Sequence, residues 1–345
     1  MLRPSCDHAD ADVVTRRDVL KGSLAGFAAI ALGARQSRAA DIPDNPFSAN
    51  NEYPYLFSPL EFHAHLEQKH IPANNRATEV IGIADEIAER VKFLLHRHLK
   101  YKRHAPTGSP DQSLHVASLQ WETIDQYMHI MAGEIVKEGF TYQSSCSYHN
   151  GIVAKEKYNY WPLDCDLTSH IGLHIAKQHR MPIAGAESFC HMYLCSKNSH
   201  RVFEMTQLKN PAEFIQNHQI KKNRDHLTDA AAALLQYYGP MSEQKLRQLI
   251  AGNILYEIRQ KAHTSADKAN ALDATCTAGE QMIKDYGAGY YLVSNLITAH
   301  EEAAKQHTSA QSAIIDAVTA GYHTMRKDML KKQHAKILQA PFEQW

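Results

Sequence analysis

Between Thr78 and Lys102 the apolar residues Val80, Ile81, Ile83, Ile87, Val91, Leu94, Leu95 and Leu99 recur every three or four positions. That period lays one stripe along a helix and does not serve a strand, whose side chains alternate every two. A second stripe runs from Ser113 to Lys137 through Leu114, Ala117, Trp121, Ile124, Met128, Met131 and Ile135, with Gly139 as its stop. The last third of the chain reads the same way, with helices expected at 225–238, 242–262, 265–285, 288–306 and from Ser309 to about Leu338. Gly239-Pro240 closes the first of these and Ser242 opens the second. Such stripes must bury against one another, so the fold class is all-α, a multi-helix bundle. The sequence holds no repeat, heptad seam, P-loop, G-x-G-x-x-G or G-x-S-x-G.

Between the stripes the punctuation is specific. After a proline-rich arm over residues 41–57, Ser58-Pro59-Leu60-Glu61 combines a serine N-cap, proline in the first turn and a glutamate three residues on, the signature of a helix start. That helix ends near Ile71-Pro72. Residues 140–165 break the helical period, and Asn150-Gly151 between two aromatic-rich runs suits either a β-hairpin or an irregular loop. A helix is expected from Asp166 or Thr168 up to Met181-Pro182, then a short helix from Ala184 to about Ser196, and another opened by Asn210-Pro211. The polar stretch from Lys197 to Arg224 is the best boundary between a first helical region, 41–204, and a second, 205–345, packed on it as one unit.

The chemistry concentrates between Cys146 and Cys195. That stretch holds Cys146, His149, Cys165, Asp166, His170, His174, His179, Glu187, Cys190, His191 and Cys195, all soft or borderline metal ligands. His170 and His174, four apart on a helix, lie about 6 Å apart on one face and can share an ion. Ile171 stands where a zincin would carry its general base, which removes the protease reading. Glu187 and His191 repeat the spacing. Two antiparallel helices joined at Pro182 would bring His170, His174, Glu187 and His191 together around iron or zinc. Cys190, Cys195 or Met192 would tilt the set toward copper, and a single histidine with an open face could hold haem. Asp166 suits a helix cap or a partner for His170. Glu122, Asp125 and His129 form a second, weaker candidate face, for which a solvated surface is the simpler explanation. Thiolate–imidazole pairs of Cys146 or Cys190 with His149 or His191 rank below these.

Histidine is over-represented, with 22 in the chain. Scattered ones such as His218, His226, His263, His307 and His334 read as surface habit. Cys190 and Cys195 on a helix would be too far apart to bridge, whereas Cys146 and Cys165 are compatible with a disulfide.

At the N-terminus, Thr15-Arg16-Arg17-Asp18-Val19-Leu20-Lys21 precedes an apolar run, Leu24–Leu32, too short to span a bilayer. Arg35 and Arg38 follow, then Ala39-Ala40, which suits a signal-peptidase cut. This segment resembles a twin-arginine signal peptide, with Val19 where the family usually has phenylalanine. The resemblance covers residues 1–40 and implies a partner, the twin-arginine export machinery, and a periplasmic or secreted destination. That route carries proteins already folded, often with a cofactor inserted. Removing six basic residues (Arg3, Arg16, Arg17, Lys21, Arg35, Arg38) and four acidic ones (Asp7, Asp10, Asp12, Asp18) leaves 31 basic against 33 acidic. Without a cationic surplus, nucleic-acid coating is excluded, and no apolar run in the mature part spans a membrane.

The first reading is therefore an exported helical metalloprotein, with metal-dependent oxidoreductase chemistry as its candidate activity, acting on a small-molecule or metal ligand, with aromatic residues of the 140–161 segment walling its site. Its rivals are a periplasmic metal- or haem-binding protein without catalysis and a secreted helical interaction protein.

Overall fold

A computed structural model describes residues 53–101, 110–119, 121–143, 147–188, 191–196, 201–217, 240–309 and 313–339. The expected signal peptide, Cys146, Cys190 and the helix expected at 225–238 lie outside them. The described chain is mostly helical with two small sheets, as the stripes require.

Helix α1 (Pro59–His70) starts where the punctuation places it: Ser58 is extended, and its hydroxyl accepts from the Glu61 amide at 3.3 Å. Helix α2 (Glu79–Tyr101) buries Val80, Ala84, Ile87, Ala88, Val91, Leu95 and Leu99 on a single stripe. The expected helix over 113–137 is helical over both described stretches, α3 (Pro110–Leu119) and α4 (Trp121–Lys137), with residue 120 outside the described residues. The 140–165 segment is neither hairpin nor loop. Strands β1 (Phe140–Tyr142) and β2 (Trp161–Leu163) pair in parallel around helix α5 (Tyr148–Tyr158). Asn150-Gly151 sits in the first turn of α5 because Ser147 caps it, accepting from the Asn150 amide at 3.1 Å. A parallel pair needs a crossover, and α5 supplies it.

Helix α6 (Cys165–Gln178) is the centre of the first region, with every residue from Cys165 to Ala176 buried. Asp164 caps it through a bond from the Leu167 amide at 2.9 Å. The short helix expected from Ala184 to Ser196 is instead a β-hairpin, β3 (Ile183–Ser188) and β4 (His191–Ser196), extended antiparallel by β5 (Arg201–Phe203) and β6 (Ile215–Asn217), with the one-turn α7 (Pro211–Phe214) between the last two. Short apolar runs do not distinguish a strand buried on both faces from a buried helix, which is why Met192-Tyr193-Leu194-Cys195 misled the reading. The hairpin lies against α6 at Gly172, where a Cβ would come within 2.7 Å of the Leu194 side chain.

The C-terminal helices are α8 (Glu243–His263), α9 (Lys268–Tyr286), α10 (Tyr290–Ser309) and α11 (Ala313–Gln339). Ser242 and Asp267 cap the first two through side-chain bonds from Lys245 and Asn270 amides. Helices α9, α10 and α11 pack in series, and α8 lies against α1, α9 and α10. Gly279 on α9 permits that approach, since a Cβ there would meet Leu296 at 2.7 Å and Leu255 at 2.8 Å. One apolar core runs through both regions. Polar ties reinforce it: Tyr55 donates to the Met241 carbonyl at 3.0 Å, Lys261 to Asn74 at 2.6 Å and Asn253 to Asp166 at 2.8 Å.

Candidate metal centre

On α6, the histidines four residues apart meet different surroundings. His174 has both ring nitrogens engaged, Nδ1 with the Ser58 hydroxyl at 2.7 Å and Nε2 with Asp85 at 2.8 Å. It locks α6 to α1 and α2. His170 is wholly buried with no hydrogen-bond partner on either nitrogen, its ring 5.3 Å from that of His63. Burial pulls its pKa down to about 4, so it is a neutral core side chain at neutral pH. His63 is held low by the same burial and by the His170 beside it. Asp166, one turn before His170, receives the Asn253 amide instead of sharing an ion.

The remaining two expected ligands sit on the hairpin. Glu187 on β3 is in register with Met192, and His191 on β4 with Ser188. His191 Nε2 lies 2.6 Å from Glu204, whose carboxyl is held below its usual range by that histidine and Thr206 even though burial works against it. The pair of antiparallel helices that would have gathered His170, His174, Glu187 and His191 is not what the chain forms. The weaker candidates on α4 are scattered too: Glu122 is exposed, Asp125 pairs with Arg201 at 3.0 Å, and His129 rests against Phe214.

Among the described residues, two groups of three side chains bring one ligand atom each within 4.8 Å of one another, and both lie on α9–α11: Cys276, His300 and His323, and Asp273, His307 and His323. Asp273, Cys276 and Glu280 fall on one face of α9 at spacings of three and four; His300 and His307 are seven apart on α10. His307, read from sequence as a surface residue, is buried here. Each of these spacings is visible in the sequence, but their convergence needs three helices in register. His263 does behave as expected of a surface histidine, partly exposed and paired with Glu302 at 3.0 Å.

The bonding inside the cluster constrains where its protons sit. His323 Nε2 lies 2.8 Å and His307 Nε2 3.0 Å from Asp273 Oδ1, and a carboxylate only accepts, so both nitrogens carry hydrogen. His323 Nδ1 is 2.7 Å from His300 Nδ1, so one of these two nitrogens donates to the other. His300 Nε2 is buried 3.3 Å from Glu280 Oε1. Burial and the adjacent His323 hold the His300 pKa down to about 4. Glu280 remains ionised: burial works to raise it, but Arg326, donating at 2.8 Å, holds its carboxyl below the usual range. Cys276 beside them is a buried thiol whose pKa is raised by that burial and by Asp273 and Glu280.

On this bundle of helices, buried Cys and His side chains and a partly exposed Asp converge closely enough that they could hold a metal ion. The chain matches no known family model, curated protein or solved structure. No helix among the described residues is long and apolar enough to cross a membrane.

Proposed function

We propose that this chain is an exported helical metalloprotein whose ion is held by Cys276, His300 and His323. One observation carries the reading, the convergence of ligand atoms from Cys276, His300 and His323 within 4.8 Å of one another in the protein interior. An ion on the Nδ1 side of His300 would leave Nε2 to donate to Glu280, 3.3 Å away, the outer hydrogen bond that orients a ligating imidazole. A thiolate and two imidazoles suit zinc or copper better than iron. His300, His323 and Cys276 are almost wholly buried, with no open face for a substrate, which favours holding an ion or passing electrons over chemistry on a bound molecule. The twin-arginine-like segment agrees with export after the ion is in place.

The test is elemental analysis and an absorption spectrum of untagged protein exported by its own signal. We expect zinc or copper in at least stoichiometric amount, reduced in Cys276→Ala/His300→Ala and unchanged in His170→Ala/His174→Ala. An empty wild-type protein, a Soret band, or metal lost only in the α6 variant overturns the assignment.

A further inference from the structure

We propose that the cluster takes two divalent ions, with the His323 imidazole, deprotonated at both nitrogens, as the bridge between them. This rests on the metal-binding reading above and extends it from one ion to a pair.

The geometry of one ring compels the distinction. The Nδ1 and Nε2 lone pairs of an imidazole point away from each other, so no single ion can bind both. His323 nevertheless has a ligand set on each side: His300 meets Nδ1 at 2.7 Å, and Asp273 meets Nε2 at 2.8 Å. Cys276 completes the first group of three and His307 the second. The His307 and His323 rings lie 9° from parallel with centroids 5.8 Å apart, which aims both Nε2 atoms at the same carboxylate. A single ion on the Cys276 side would leave three converged ligand atoms unused. Three protein ligands are enough to hold a further ion with a position left open. The two ends differ in character. The inner set, with a thiolate, is soft and sealed; the outer set, two histidines and a carboxylate, opens through Asp273, whose side chain is 32% exposed. Metal–nitrogen bonds of about 2.0–2.1 Å on either side of one imidazole put the ions roughly 6 Å apart.

The proton count separates one ion from two. Filling the inner set releases the Cys276 thiol proton and leaves His323 donating from Nε2 to Asp273. Filling the outer set removes this last His323 proton, and the His307 proton moves to its other nitrogen. The second ion thus releases one proton beyond those released by the first.

The experiment titrates chelator-stripped full-length protein with zinc, by calorimetry in the presence of a pH indicator, and with cobalt, by absorption. Wild type is expected to bind two equivalents. His307→Ala should bind one equivalent, release one proton fewer than wild type and keep the thiolate-to-cobalt band. Asp273→Asn, which preserves shape, should weaken the second ion at least tenfold and leave the first. A single equivalent in wild type, unchanged in both variants, overturns the bridge while the one-ion site stands. Two equivalents that persist in both variants overturn it equally, because the second ion then lies elsewhere. No uptake of either metal overturns the site itself.

Discussion

Helix α6 and the α9–α11 cluster hold the same kinds of side chain and use them in opposite ways. On α6 the histidines are absorbed singly. His174 is bonded between Ser58 and Asp85, and His170 is packed as if it were apolar. In the cluster, nitrogen faces nitrogen, two imidazoles meet one carboxylate, and a thiol completes the group. The difference lies in how many elements contribute. Two ligands on one helix leave the remaining positions to chance neighbours, whereas three helices can surround an ion. What matters is convergence of lone pairs, and spacing within one element does not provide it.

The largest expected effect is on metal affinity itself. Removing one inner ligand by His300→Ala should weaken zinc binding by two orders of magnitude or more, measured against a chelator of known affinity, while His174→Ala leaves it within about threefold. Equal losses in both would erase the contrast between the regions.

Acid should act on the buried histidines of both regions of the metal-free protein, His170 among them. In the unfolded chain His170 takes up a proton as pH falls through 6.5; in the fold it does so only at about 4. Between those values the unfolded state binds more protons, so stability falls as pH is lowered through that window. The loss is about 3 kcal/mol at full span, and denaturant midpoints of the metal-free protein at pH 7 and pH 4.5 would register most of it. His179 and His300, also held at about 4 mainly by burial, add in the same direction. His170→Phe should make the profile shallower by its own share with little loss at pH 7, because no hydrogen bond is removed. A variant as acid-labile as wild type would show that His170 is not among the groups responsible.

Metal removal acts on the α9–α11 cluster. At zinc a hundredfold above its Kd, binding adds about 2.7 kcal/mol, so stripping should lower the melting temperature by roughly 4 °C. The His170→Ala variant should show the same drop, and Cys276→Ala a smaller one. The smallest effect concerns a joint between elements: Ser58→Ala removes both the α1 cap and a partner of His174, and should cost about 1–2 kcal/mol in chemical denaturation.

How much of this was legible in the residues follows from range. The α1 start at Ser58-Pro59 and the α8 start at Ser242 were readable because caps are local. The stripe from Val80 to Leu99 was readable because its period is. The hairpin over 183–196 was not, since a six-residue apolar strand buried on both faces has no period that separates it from a helix. Asn150-Gly151 misled for a related reason, a turn-favouring pair overruled by the Ser147 cap beside it. The proposed ligands were the hardest to see. Asp273, Cys276, His300, His307 and His323 span fifty residues, and nothing in any one helix announces that the other two will face it.

The bond from Tyr55 to the Met241 carbonyl has a temporal consequence. Its partners are 186 residues apart in sequence, and Tyr55 also receives the Gly185 amide at 2.9 Å. During synthesis the first residues leave the ribosome long before Met241 exists, so this seam is among the last to close. A leader at the extreme N-terminus would be on display for that whole interval while the body behind it was still open. If the proposed leader directs the chain to a route that waits for folding, export would be sensitive to the rate at which the Tyr55 seam closes, and slowing it with Tyr55→Phe would leave more precursor unexported even where the finished protein is nearly as stable.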